Sequence, residues 1–577
     1  MKLDIATLLA GYRDGSTSPS RVAQELIDRL AKPQEQQLWI ARVSDEALRA
    51  AAAALDEADP SLPLYGIPFA VKDNIDVAGM PTTAGCPGFS YAATRTATVV
   101  QRLLDAGAML IGKTNMDQFA TGLVGTRSPY GSCSSVADPA RISGGSSSGS
   151  AVAVALGYAS FALGTDTAGS GRVPAAFNGL VGVKPTRGLL STRGVVPACA
   201  SLDCVSVFTG TVPDAARVLD VVAAFDLEDP WSRPEAVCDS PRRGRIGVPL
   251  VGQVEQEESA ATLAWAQAVE RAGNRWTLVE VDIDPLLKAA PLLYEAWVAE
   301  RTADLAPHIE AEPEGLDPTV AAIVLGGRET KATDVFRAQH RLRELERAAA
   351  SIWERADALL LPTTALHPTH AEVAADPVGT NSRLGRFTNF VNLMDLCSLA
   401  LPGAPRPDGL PFGVTLHAPA HHDRRLLELG CEWSSQPASV ELPGVVRLAV
   451  AGAHMTGMPL NDRLTERGAR LLGTARTAPS YELYALANGG PIARPGVVRV
   501  EDGGASIEVE VWELSRAALG AIVEEVPGPL AIGHVEMLDG TRICGFVCEG
   551  YAVHGATDIT AHGGWRAYLE APVTTPA

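Results

Sequence analysis

Three groups of residues in this chain could do chemistry together. The first is Gly144-Gly145-Ser146-Ser147-Ser148-Gly149-Ser150, which enters the Ala/Val-rich stretch AVAVALGYASFALG. The second is Gly164-Thr165-Asp166-Thr167-Ala168-Gly169-Ser170-Gly171-Arg172. The third is Lys72, which follows the strand-like run IPFAV. Gly/Ser composition by itself favours a pair of flexible loops. A flexible linker, however, would not break for a buried segment and then resume with Asp, Ser and Arg fixed among glycines. Small residues around a serine let backbone N–H groups converge on one point, as an oxyanion hole requires. A nucleophilic serine also needs a base; the usual choice is histidine, yet no His lies before His308. Lys72 offers a different base, since an apolar setting depresses an amine's pKa and frees its lone pair. Alone it reads as a surface lysine, whereas beside two serine-rich loops it reads as a base. The chemistry implied is acyl transfer.

The elements around these groups must hold them. The first 60 residues read as helical, with Ser20 placed to cap SRVAQELIDRLAK and a second helix in DEALRAAAAALDEA. From Tyr65 the texture changes to short apolar runs, IPFAV, AMLIG and LVGVK, separated by Gly-rich turns and helical segments. That alternation predicts an α/β architecture around a mixed sheet, continuing to about residue 435. EWSSQPASVELPG reads as a linker, centred on 436–445. VRLAVAG, SYELYAL and SIEVEVWEL then predict strands of a smaller α+β domain over 446–577. Gly107-Ala-Met-Leu-Ile-Gly112-Lys113-Thr114 matches the phosphate-loop pattern, but its interior is a buried strand and VVQRLLDA before it is helical. Helix, turn and strand is the expectation there, with Lys113 at the strand's end.

Composition bounds the partners. The chain has 577 residues and a formal net charge of -19, which argues against nucleic acid, whose phosphates need a basic face. A length prior of about 150 residues per domain suggests three or four domains. Nine scattered cysteines do not form a disulfide framework, and Cys544 and Cys548 lack a zinc spacing with His534 or His554. Reduced thiols, a poor signal peptide and no apolar spanning stretch predict a cytoplasmic chain without membrane contact.

Lys72 in VKDN and the two serine motifs, in this order, resemble the amidase signature family over about residues 1 to 435. The resemblance implies one large amidase fold and no metal or organic cofactor. It implies a Ser-cisSer-Lys triad with Lys72 as base, Ser146 as relay and Ser170 as nucleophile, and a cis Gly145–Ser146 peptide. The backbone N–H groups of Thr167, Ala168, Gly169 and Ser170 would hold the oxyanion, while Asp166 and Arg172 brace the loop. The commoner family pattern has Gly where Ala168 stands, which hints at a subgroup. Thr-Ala-Gly-Ser-Gly-Arg-Val-Pro and the run from Asp117 to Gly131 are similar to allophanate hydrolases. Gly452-Ala-His454-Met-Thr-Gly-Met-Pro459-Leu-Asn461 and Val511-Trp-Glu513-Leu resemble their C-terminal domain, itself similar to γ-glutamyl cyclotransferases.

Such a resemblance implies a small anionic substrate, allophanate, a homodimer, and urea carboxylase as a functional partner. The substrate's carboxylate calls for a cation. In LLYEAWVAERTADL, Tyr294 and Arg301 are seven residues apart and would share one helix face if the segment were helical. The resemblance makes them the carboxylate-binding pair; without it they read as a half-buried Tyr and a surface Arg. His454 and Glu513 are the C-terminal candidates, for a second catalyst acting on N-carboxycarbamate or for an assembly module. The competing functions are hydrolysis of a biuret-like substrate and service as an amidotransferase subunit that donates ammonia.

Overall fold

The computed structural model describes residues 3–32, 36–236, 244–436, 445–486 and 493–571. They form two compact units, one comprising Met1–Ala236 with Gly244–Glu441 and the other containing Leu442–Ala577.

Among the described residues of the first unit, eleven strands make one mixed sheet. In spatial order they are Trp39–Arg42, Met109–Thr114, Pro68–Lys72, Phe161–Asp166, Cys204–Thr209, Val181–Lys184, Leu396–Pro402, Gly413–Pro419, Ala358–Pro362, Arg245–Pro249 and Thr277–Val281. Pro68–Lys72 runs parallel to both of its neighbours. A strand enclosed in this way must be apolar on both faces, and PFAVK is buried throughout. Phe69 and Phe161 stack across the pair with ring centroids 5.3 Å apart. The consequence is that Lys72 reaches the end of its strand already out of water.

The segment between the serine motifs is the helix Ser148–Ala155, whose residues Ser148 to Val154 are all buried. Its small side chains allow a helix apolar on every side to sit inside the domain. One end carries the first serine loop, and the strand Phe161–Asp166 that follows delivers the second.

Two local expectations change. The helix Pro19–Leu30 is capped by Ser18, whose Oγ accepts from the Arg21 N–H at 3.3 Å, and not by Ser20. Pro19 explains the shift, because proline fits the first helical position, where its missing N–H costs nothing. The linker's first residues, Glu432 to Ser434, complete the helix Asp423–Ser434, which ends at Ser435 in a left-handed conformation (φ 53°). Residues 437–444 of that expected linker lie outside the described residues. The phosphate-loop match resolves into the helix Thr98–Asp105 and the strand Met109–Thr114. Lys113 is buried there, 2.7 Å from Thr82 Oγ1 and 3.6 Å from Asp73.

The second unit carries a five-stranded sheet in the order Arg470–Arg476, Glu508–Ser515, Val445–Val450, Arg542–Cys548, Leu530–Glu536. A three-stranded sheet (Pro495–Arg499, Tyr481–Ala485, Thr557–Asp558) and the helix Arg516–Glu525 accompany it. The architecture is therefore an α/β unit with a large mixed sheet flanked by helices, plus a smaller sheet-based unit. Among the described residues no helix is long and apolar enough to cross a membrane.

Candidate active site

Lys72 is fully buried, with Nζ 2.7 Å from Ser146 Oγ and 2.6 Å from Thr165 Oγ1. Burial lowers its pKa from 10.5 to about 7, against the opposing pull of Asp117, Asp203 and Asp166. A neutral amine has one lone pair, so it can accept from one hydroxyl while donating to the other. Thr165 lies within the quoted motif but carried no expected role; its position at the end of the neighbouring strand is what brings it to Lys72.

The peptide Gly145–Ser146 is cis. Asp117 grips this turn, its N–H donating to the Ser146 carbonyl at 3.0 Å while its carboxylate accepts from the Gly125 and Arg127 N–H groups at 2.9 Å. A Cβ on Gly145 would collide with the Asp117 carboxylate, so only glycine fits. Ser170 lies nearby in the second loop and is almost fully buried. Its hydroxyl makes one hydrogen bond among the described residues, to the Gly122 carbonyl at 3.4 Å.

Asp166 and Arg172 form a forked, fully buried pair, Nε to Oδ2 and Nη2 to Oδ1, both 2.9 Å. Burial alone would raise the Asp166 carboxyl, but Arg172 outweighs it and holds it below the ordinary range. Asp166 also accepts from the Gly169 N–H at 3.0 Å and the Gly171 N–H at 2.9 Å. The Gly169 N–H, one of the four expected oxyanion donors, is thus engaged by the brace. Among the described residues, the N–H groups of Thr167, Ala168 and Ser170 have no acceptor. What Gly169 contributes instead is room: its φ is 134°, and a Cβ there would stand 2.5 Å from Thr388 Oγ1, so no side chain is admitted.

Tyr294 and Arg301 do not share one helix. The helix Leu292–Glu295 ends at Ala296, whose φ of -122° breaks the path, and Val298–Glu310 begins afresh. Arg301 is nevertheless buried, with Nη1 donating to Thr121 Oγ1 at 2.9 Å. Tyr294 Oη accepts from Asn381 Nδ2 at 3.3 Å and lines a cavity of about 810 Å³. Arg127, Arg383 and Arg386 also line it, together with Glu295. The short segment Thr121–Leu123 thus touches Arg301 and Ser170, a convergence that spacing in sequence does not reveal.

In the second unit His454 stacks on Phe546 (4.8 Å between centroids) and lines a cavity of about 50 Å³ with Arg463, Arg494 and Glu525. Burial and the two arginines push its pKa down to about 4. Glu513 is not in that cavity; it pairs with Arg470 of the adjacent strand at 2.8 Å. Glu525 of the helix Arg516–Glu525, and not Glu513, supplies the carboxylate in the cavity that His454 lines.

A buried lysine on a serine whose preceding peptide is cis, facing a second serine loop within a mixed sheet, defines an amidase-type hydrolase. The Amidase family model matches residues 21–427, so the chain belongs to that family. The Allophanate hydrolase C-terminal domain model matches residues 446–570. The chain is 42% identical to the urea amidolyase of Saccharomyces cerevisiae, over 97% of this chain and 32% of that protein. It thus spans about a third of the length of the curated urea amidolyases it matches. The Kluyveromyces lactis allophanate hydrolase structure is 40% identical with a TM-score of 0.86, covering 98% of this chain and 99% of that one. A glutamyl-tRNA(Gln) amidotransferase chain from Synechococcus is 32% identical over 72% of this chain and 94% of that protein.

Proposed function

We propose that the chain hydrolyses allophanate, with Lys72, Ser146 and Ser170 as its catalytic triad. The observation that carries this is the fully buried Lys72 amine, lowered to about pH 7 and 2.7 Å from Ser146 Oγ. In its neutral form Lys72 takes the Ser146 proton as Ser146 takes that of Ser170. Ser170 Oγ then bonds to the terminal amide carbon, and the Thr167, Ala168 and Ser170 N–H groups hold the oxyanion. The proton returns along the same path to the leaving nitrogen, and ammonia departs. Water enters, gives its proton to the relay and releases Ser170 from the acyl-enzyme. Arg301 and Tyr294 bind the substrate's carboxylate, and the Asp166–Arg172 pair keeps the loop in shape.

The match to an allophanate hydrolase across both units favours this substrate over the ammonia-donating role suggested by likeness to amidotransferases. For the second unit, the cavity shared by neutral His454, Arg463 and Arg494 supports action on the N-carboxycarbamate released by the first. The reading includes a domain division at 1–435, 436–445 and 446–577, a cytoplasmic homodimer, and allophanate supplied by a urea carboxylase or by s-triazine (cyanuric acid) breakdown. Ammonia release from allophanate, biuret and glutamine by the isolated chain tests it. Turnover of allophanate is expected to exceed the other two by at least about a hundredfold, since a site built to pair a buried charge rejects ligands lacking it. Preference for biuret or glutamine would refute it.

A further inference from the structure

The helix Gly379–Leu384 carries Asn381, a buried side chain with no place in the triad or the oxyanion loop. Its Oδ1 accepts from the Leu123 N–H at 2.7 Å, and its Nδ2 lies 3.3 Å from Tyr294 Oη. The two ends of this amide are not interchangeable. A backbone N–H only donates, so the oxygen must face Leu123 and the NH₂ must face Tyr294. The phenol oxygen is therefore an acceptor on that side. Its own proton is left free to turn away from Asn381, and both residues line the cavity of about 810 Å³.

The same side chain holds the segment on which the rest of the site converges. Leu123 accepts from the Gly145 N–H at 2.9 Å through its carbonyl, immediately before Ser146. The Gly122 carbonyl faces Ser170 Oγ, and Thr121 Oγ1 accepts from Arg301. A single amide thus joins Tyr294 to a strap that contacts the nucleophile, the serine turn and the buried arginine.

We infer that Asn381 is a positioning residue that makes Tyr294 a hydrogen-bond donor toward the substrate's carboxylate. The inference rests on the function proposed above, with an anionic substrate bound by Tyr294 and Arg301. With the phenol proton turned outward, an acceptor-only ligand such as a carboxylate completes the pair. Without the amide, the hydroxyl is free to rotate, and binding then includes the cost of fixing it.

A double-mutant cycle on the full chain, using Asn381→Ala, Tyr294→Phe and the combined variant with allophanate as substrate, tests the coupling. Each single change is expected to raise KM by about tenfold, the loss of one ordinary hydrogen bond, with kcat within about threefold of the parent. The combined rise should fall short of the product of the two by at least about threefold. Asn381→Asp keeps the acceptor for the Leu123 N–H while drawing the Tyr294 proton inward. It should show the same shortfall, and it serves if Asn381→Ala does not fold. A purely structural role would lower the thermal midpoint or the active fraction and leave KM unchanged. That result, or KM effects that simply multiply, would overturn the inference while leaving the substrate assignment standing. No allophanate turnover by the unsubstituted chain would remove the assignment and the inference together.

Discussion

At the scale of single residues, activity turns on the protonation of Lys72. Its pKa in the folded chain is about 7, below the ordinary 10.5, so the base is the form with fewer protons. Activity should accordingly be low in acid, rise as pH passes through about 7 and level off above. A pH profile of kcat/KM that climbed only near the ordinary lysine value of about 10 would contradict the lowered pKa, and one flat through both values would mean that the amine is not the base. Ser170→Ala should lower kcat by about 10⁴-fold or more, and Lys72→Ala by nearly as much, because members of such a triad act as a unit. Ammonia release by the purified variants measures both. Arg301→Ala removes a charge-assisted contact and should raise KM for allophanate by about 10- to 100-fold. An unchanged KM would remove Arg301 from carboxylate binding.

Elements decide how those residues meet. Strand alternation and parallel pairing place Lys72 beside the strand ending in Thr165 and Asp166, and the buried helix Ser148–Ala155 ties one serine loop to the other. These features are legible in the sequence as an apolar run ending in a lysine and an Ala/Val stretch between glycines. The broken helix between Tyr294 and Arg301 is not, because seven residues suit two helical turns whether or not Ala296 interrupts them. Nor is the engagement of the Gly169 N–H by Asp166, which depends on how tightly the loop closes around a buried carboxylate. Two predictions belong here. Asp166→Ala leaves the Arg172 guanidinium buried and unpaired, which should destabilise the first unit by about 3–5 kcal/mol, read from its denaturation midpoint. Gly169→Ala must force its φ and displace Thr388, so it should reduce kcat by about 10²-fold or more with a smaller effect on KM.

At the scale of the whole molecule, a length prior of three or four domains gives way to two compact units, since one sheet of eleven strands gathers segments from Trp39 to Pro419. Asn381 and Leu123, 258 residues apart and both outside the sheet, share a hydrogen bond that no local pattern foretells. The net charge of -19 bounds the partners but hides the arginines around the cavity beside Tyr294. The second unit has its own core around Tyr481, Leu483 and Ile507, so removing residues from 437 onward should leave ammonia release by the first unit measurable. The same truncation should change the product stoichiometry; an unchanged stoichiometry and oligomeric state would leave the second unit without either proposed role. The central claim is that Ser170 carries the acyl group, and rapid quenching during allophanate turnover followed by peptide mass analysis tests it most directly. A covalent adduct on the peptide containing Ser170, absent from Ser170→Ala, is the predicted result. Sustained turnover with the adduct on another residue would contradict it.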